Sequence, residues 1–194
     1  MFCETRVADS DDDDMFHIDH FNTVIHRSSH NSRQRPHYGL PLYSKLPLIH
    51  TSQPVTLSTS NGTLECSLIR IALQPSLILS IACVYRRPSS DLQHLKYAMS
   101  RITAEMETFQ STNDNIEHHK FIMDDFNLDW CERYTRDTMQ ELLPSYTQLV
   151  CDMTTDYSST LDDVYTTMPS DLVDCYVTES YFTDHKPAIA TIHL

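Results

Sequence analysis

Three short stretches of this 194-residue chain hold residues whose types and spacing could do chemistry. The first is Ile122-Met123-Asp124-Asp125-Phe126-Asn127, an apolar run that ends in a carboxylate and a carboxamide two residues apart. If the run is a strand, residues i and i+2 face one side, so Asp125 and Asn127 converge on one ligand at its carboxyl end. An ordinary Asp/Asn turn after a strand has the same letters, and this segment by itself leaves both readings open. The second stretch, Tyr181-Phe182-Thr183-Asp184-His185-Lys186-Pro187, sets an Asp-His pair just before an apolar run. Such pairs also occur in surface turns. The third is Leu161-Asp162-Asp163-Val164-Tyr165, with carboxylates inside an otherwise apolar pattern. Strand interiors disfavour Asp, so its presence there points to a buried or catalytic need.

The elements that must position these groups are partly visible. Leu64 to Leu73 and Ser76 to Tyr85 are apolar runs separated by Gln74-Pro75, the pattern of a hairpin buried on at least one face. Pro88-Ser89-Ser90-Asp91 supplies an N-cap cluster, and Leu92, Leu95, Met99, Ile102, Met106 and Phe109 then recur at helical spacing. This predicts an amphipathic helix of roughly five turns. A strand follows over His119 to Met123, and a second helix over about Thr135 to Leu143 stops at Pro144. Further strands are expected at Leu161 to Thr166, Leu172 to Thr178 and Ala188 to Leu194. Residues 21–54 read mostly as loop, with one strand within Tyr38 to Leu48. The order of elements describes an α/β or α+β layered fold in a single domain over residues 1–194.

Composition narrows the classes. The formal net charge is −13, from 14 Lys and Arg against 27 Asp and Glu. The acids cluster in the first twenty residues and again from Asp137 to His185, where ten acids occur with no Lys or Arg. That stretch suits a hard divalent cation better than phosphate. No apolar run approaches the ~18 residues of a membrane span, and Glu4 and Asp11 to Asp14 occupy the place of a signal peptide's basic and apolar stretch. An intracellular protein with no membrane partner is the expectation. The six cysteines show no C-x-x-C pair, so reduced thiols rather than a zinc or disulfide framework are expected. Only two glycines are present, so turns must rely on Asn, Asp, Ser and Pro. His17, Asp19 and His20 read as a solvated segment, and His118-His119 as a surface turn.

In chain order the sequence holds Glu4-Thr5, Arg35-Pro36-His37-Tyr38-Gly39, Tyr85-Arg86-Arg87-Pro88, Asp124-Asp125-Phe126-Asn127, Leu161-Asp162-Asp163-Val164-Tyr165-Thr166 and Thr183-Asp184-His185. This order resembles the endonuclease/exonuclease/phosphatase family, and most closely the endonuclease domains of non-long-terminal-repeat retroelements. Their motifs are E-T, R-P-x-G-G, Y-R-P-P, G-D-F-N, L-D-x-V-x-T and S-D-H. The resemblance implies a DNase-like two-layer β-sandwich flanked by helices, without the family's first strand and helix. It also implies metal-dependent phosphodiester hydrolysis with Mg²⁺, or Mn²⁺ in its place. By the same resemblance Glu4 is a metal ligand, Asp184 a metal or histidine-positioning carboxylate, Asp125 orients or deprotonates the attacking water, and Asn127 fixes its position. His185 stabilises the phosphoryl charge, Asp162 orients His185, and Tyr85 contacts phosphate. Arg35, Arg86 and Arg87 are the candidate contacts to a DNA backbone, and a reverse transcriptase domain is the partner in a full-length element. Two alternatives keep the fold: a catalytically inactive remnant or interaction module, and a phosphatase or phosphodiesterase on a small substrate. Asp124 stands where the family has glycine, so a permissive backbone there would cost on the order of 1 kcal/mol.

Overall fold

The computed structural model describes residues 14, 17–26, 40–51, 55–59, 62–88, 90–108, 116–181 and 183–194. In chain order the elements are β1 Asn22–His26, β2 Leu40–Ser44, β3 Leu48–Thr51, β4 Val55–Thr59, β5 Gly62–Gln74, β6 Leu77–Arg86, α1 Leu92–Glu107, β7 Glu117–Asp125, α2 Arg133–Leu142, β8 Thr147–Gln148, β9 Asp162–Thr166, β10 Val173–Val177 and β11 Ala188–Ile192. Seven strands form one mixed sheet of order β3-β5-β6-β7-β9-β8, with β4 also on β5. Its one parallel pair is β6 with β7, joined through α1 as a parallel pair requires. Two smaller antiparallel sheets are β1 with β2 and β10 with β11.

The alternation of side chains separates two cores on the two faces of the large sheet. Leu64, Cys66, Leu68, Ala82, Val84, Ile122 and Tyr165 pack with Leu95, Ala98, Met99, Ile102 and Met106 of α1 and Met139 of α2. Ile69, Ile71, Leu79, Cys83, Phe121 and Val164 face the other way, onto Leu42 of β2 and Val173 of β10. Burial on both faces explains why β6 reads as a continuous apolar run rather than an alternating one. This is the layered α/β arrangement expected from the sequence.

The helices follow their local signals. Asp91 caps α1 by accepting from Gln93 N at 2.8 Å, and α2 ends two residues before Pro144. At the other end of α1, the buried Arg70 guanidinium donates to Glu105 O at 3.1 Å, which favours the negative end of the helix dipole. Phe109, expected on the apolar stripe, lies outside the described residues.

Three local readings are corrected. Residues 21–54 hold three strands, not one, because β1 pairs with β2 residue for residue and β3 joins the large sheet. The short β4 and β8 were likewise not read. His118-His119 is not a surface turn: both lie in β7 opposite Ile78 and Leu79. His118 Nε2 is 2.8 Å from Ser80 Oγ, and His119 is buried with Nε2 donating to Glu117 Oε1 at 2.6 Å. Asp124 lies within β7, paired with Asp163, and is not among the described non-glycine residues of positive φ, so no glycine-like backbone is needed there. His17, Asp19 and His20 are exposed, and the five described cysteines are free thiols. No helix among the described residues is long and apolar enough to cross a membrane.

Candidate active site

The site is built where β7 ends and β9 begins. The apolar stretch of β7 delivers Asp125, which is 3% exposed, at its carboxyl end. The chain then turns through Asn127 at φ 47, a left-handed conformation that Asn tolerates better than most residues. Asn127 N donates to Asp125 Oδ1 at 2.8 Å, and Asn127 Nδ2 donates to Asp125 Oδ2 at 2.8 Å. The same amide donates to Arg86 O at 2.8 Å. The two residues therefore meet through an Asx-type turn, not by sharing one face of a strand. The turn and the convergence, open alternatives in the sequence, are one structure.

Antiparallel pairing puts Asp162 of β9 directly opposite Asp125. Asp162 accepts from His185 Nδ1 at 2.7 Å, which leaves Nε2 as the ring nitrogen for a ligand. That hydrogen bond, helped by the charges of Asp162, Asp125 and Asp184, pushes the imidazole up to about 9 against the opposing effect of burial. His185 therefore carries its proton at neutral pH. Donor atoms of Asp125, Asp162 and His185 lie within 4.8 Å of one another.

Buried hydroxyls fix the backbone around this cluster. Thr154 Oγ1 accepts from Leu161 N at 3.0 Å and Asp162 N at 3.1 Å, and Thr154 O accepts from Lys186 N at 2.7 Å. One threonine thus ties the start of β9 to the histidine loop. Neither Thr154 nor Glu65 was read from the sequence. Glu65 is 0% exposed and sits opposite Tyr85 in the β5–β6 register. Since Cys83 pairs with Met123 two residues earlier, Glu65, Tyr85, Asp125 and Asp162 fall on one row across four adjacent strands. An acid inside the apolar run Leu64-Glu65-Cys66 was the available signal.

No family sequence model matches the chain, and no curated protein sequence matches it. Solved structures do match its fold. An endonuclease/exonuclease/phosphatase family protein from Leptotrichia buccalis superposes with a TM-score of 0.61 at 14% identity, over 93% of this chain and 74% of that one. The human Nocturnin catalytic domain gives 0.63 at 10% identity, over 97% and 79%. The Haemophilus ducreyi cytolethal distending toxin gives 0.58 at 10% identity, over 84% and 65%. The chain has the endonuclease/exonuclease/phosphatase fold. In this fold the cluster sits where the carboxyl end of β7 meets the amino end of β9.

Other residues read from the sequence are placed differently. Glu4 and Arg35 lie outside the described residues. Asp184 is exposed on the rim, where its backbone oxygen accepts from Asp156 N at 3.0 Å. Tyr85 is buried within the row. Arg86, read as a candidate nucleic-acid contact, is buried: its guanidinium donates through Nη1 to Phe126 O at 3.2 Å and Asn127 O at 3.1 Å, and through Nη2 to Ser90 O. It holds the turn that carries Asn127. Burial lowers its pKa, opposed by the charges of Asp125 and Asp91. Arg87 is exposed and remains available for contact. Asp163 points to the opposite face from Asp162, because neighbours in a strand alternate. Its Oδ1 accepts from Gln148 Nε2 at 2.9 Å and Val164 N at 2.8 Å, while its Oδ2 is buried without a hydrogen bond.

Proposed function

We propose that residues 1–194 form one domain of the endonuclease/exonuclease/phosphatase family that hydrolyses a phosphodiester with a divalent cation. In this reading it is a DNA-nicking endonuclease of retroelement type, working beside a reverse transcriptase. The carrying observation is the Asp125, Asp162 and His185 cluster at the ends of two paired strands.

The donor set fits a hard cation through carboxylate oxygen. By the family resemblance Glu4 and Asp184 would hold the cation beside this cluster, while His185 is tied to Asp162 through Nδ1 at 2.7 Å. When bound, Mg²⁺ supplies positive charge against a phosphate oxygen. The chain's own residues do the rest. Asp125, with both oxygens held by Asn127, accepts a proton from the attacking water and keeps that water in line. Asp162 holds His185 in one orientation, and the imidazolium Nε2–H donates to a non-bridging phosphate oxygen as charge develops there. Tyr85, buried beside Asp125, limits water at the floor of the site.

The test is relaxation of supercoiled plasmid with Mg²⁺ by the wild-type chain, Asp125→Ala and His185→Ala. Each substitution is expected to lower the rate roughly 10²–10⁴-fold. Equal rates in all three proteins overturn the assignment.

A further inference from the structure

The segment between β8 and β9 is braced against the histidine loop. Thr155 and His185 form an antiparallel bridge, and Asp156 N donates to Asp184 O at 3.0 Å. Within it, residues 155–159 close a tight turn. Ser158 N donates to Thr155 O at 3.3 Å, Thr155 N donates to Ser159 O at 3.1 Å, and the Thr155 and Ser159 hydroxyls are 2.7 Å apart. Ser158 adopts φ 63, which is unfavourable for a residue with a Cβ and persists only where surrounding bonds enforce it. What this turn presents is Tyr157, 80% exposed. The loop between β10 and β11, which also carries His185, is closed by Thr178 N donating to Pro187 O at 3.0 Å. It presents Tyr181, 91% exposed. Neither ring packs on another ring among the described residues.

The charge around these rings suits one kind of nucleic acid better than another. The chain supplies ten acids and no Lys or Arg from Asp137 to His185, and Lys186 is held by Glu179 at 2.9 Å. Duplex affinity comes mainly from cations neutralising phosphates along both strands. A single strand depends less on such neutralisation per phosphate, and stacking on an aromatic face adds affinity that only an unpaired base can give, since the faces of a paired base are covered by its neighbours.

We infer that the site takes an unpaired nucleotide, with Tyr157, on the turn bridged to His185, stacking the base next to the phosphate held at His185. The inference rests on the phosphodiester reading above and names its substrate: single-stranded nucleic acid, including unpaired stretches of a supercoiled duplex.

Binding of a labelled single-stranded oligothymidylate to the full chain, with Ca²⁺ replacing Mg²⁺ to prevent cleavage, tests it. Tyr157→Ala is expected to weaken binding roughly five- to a hundredfold, and Tyr157→Phe to leave it unchanged. The same strand annealed into a duplex should bind more weakly. An abasic strand of equal length should bind wild type and Tyr157→Ala alike. Wild-type affinity in Tyr157→Ala, equal loss on the abasic strand, preference for duplex, or no oligonucleotide binding each overturns the inference. If binding depends on Tyr157 as described but the wild-type chain hydrolyses no phosphodiester with Mg²⁺, the stacking platform stands and the hydrolase reading fails.

Discussion

Asp163→Asn should change how stability depends on pH, and the structure sets the size of the change. The Asp163 carboxyl is 4% exposed, and burial pushes it up to about 7, against the hydrogen bonds its oxygen accepts. In the unfolded chain it returns to an ordinary 3.8. Between those values the folded chain keeps a proton that the unfolded chain has released. Stability is therefore lost as pH rises from about 4 through about 7, and the loss is complete above that. At about 1.4 kcal/mol per pH unit, this one group costs about 4 kcal/mol at pH 8. Asparagine keeps the acceptor for Gln148 and Val164 and cannot ionise. The variant should match wild type near pH 4, where both side chains are neutral, and exceed it by about 4 kcal/mol at pH 8. With a urea slope of about 2 kcal/mol/M, its unfolding midpoint should lie ~2 M higher at pH 8. Urea unfolding of both chains at several pH values reads the difference directly, with the other acids cancelling between them. A difference that does not change with pH refutes the reasoning.

Asn127→Gly and Asn127→Ala separate backbone from amide. Glycine accepts the left-handed φ and alanine does not, so the glycine variant should be more stable by about 1 kcal/mol in thermal unfolding. Both variants should lose hydrolysis roughly 10²-fold with the Asp125 contacts gone; full activity in the glycine variant would show the amide has no part. Arg86→Ala leaves the buried carbonyls of Phe126 and Asn127 without their guanidinium donor and should destabilise the chain by about 3 kcal/mol in urea. Arg86→Lys should recover only part of this, because one ammonium cannot serve both sides of a planar fork. A plasmid-binding defect with unchanged stability would instead restore Arg86 as a DNA contact.

Much of the local structure was legible because it is set by residues near one another in sequence. The α1 stripe of Leu95, Met99, Ile102 and Met106, its Asp91 cap, the β5–β6 hairpin and the approach of β7 to Asp125 all follow from periodicity and capping. The strands of residues 21–54 were not legible. Their pairing depends on partners such as Val24 with Leu42, and nothing in either segment alone names the other.

The residue types of the site were likewise set by the sequence: Asp125, Asn127, Asp162 and His185 stand in order along the chain. Tertiary structure alone decided their relation. The pairing of β7 with β9 made Asp125 and Asp162 direct neighbours, and the Thr154 brace brought His185 onto Asp162. It also sent Asp163 to the other face and turned Arg86 inward. Register and burial depend on which distant surfaces close over one another, whereas caps, turns and periodicity depend on the few residues alongside. For that reason the sequence by itself specified the chemistry available to this protein, and only the assembled sheet and its loops determined which groups meet.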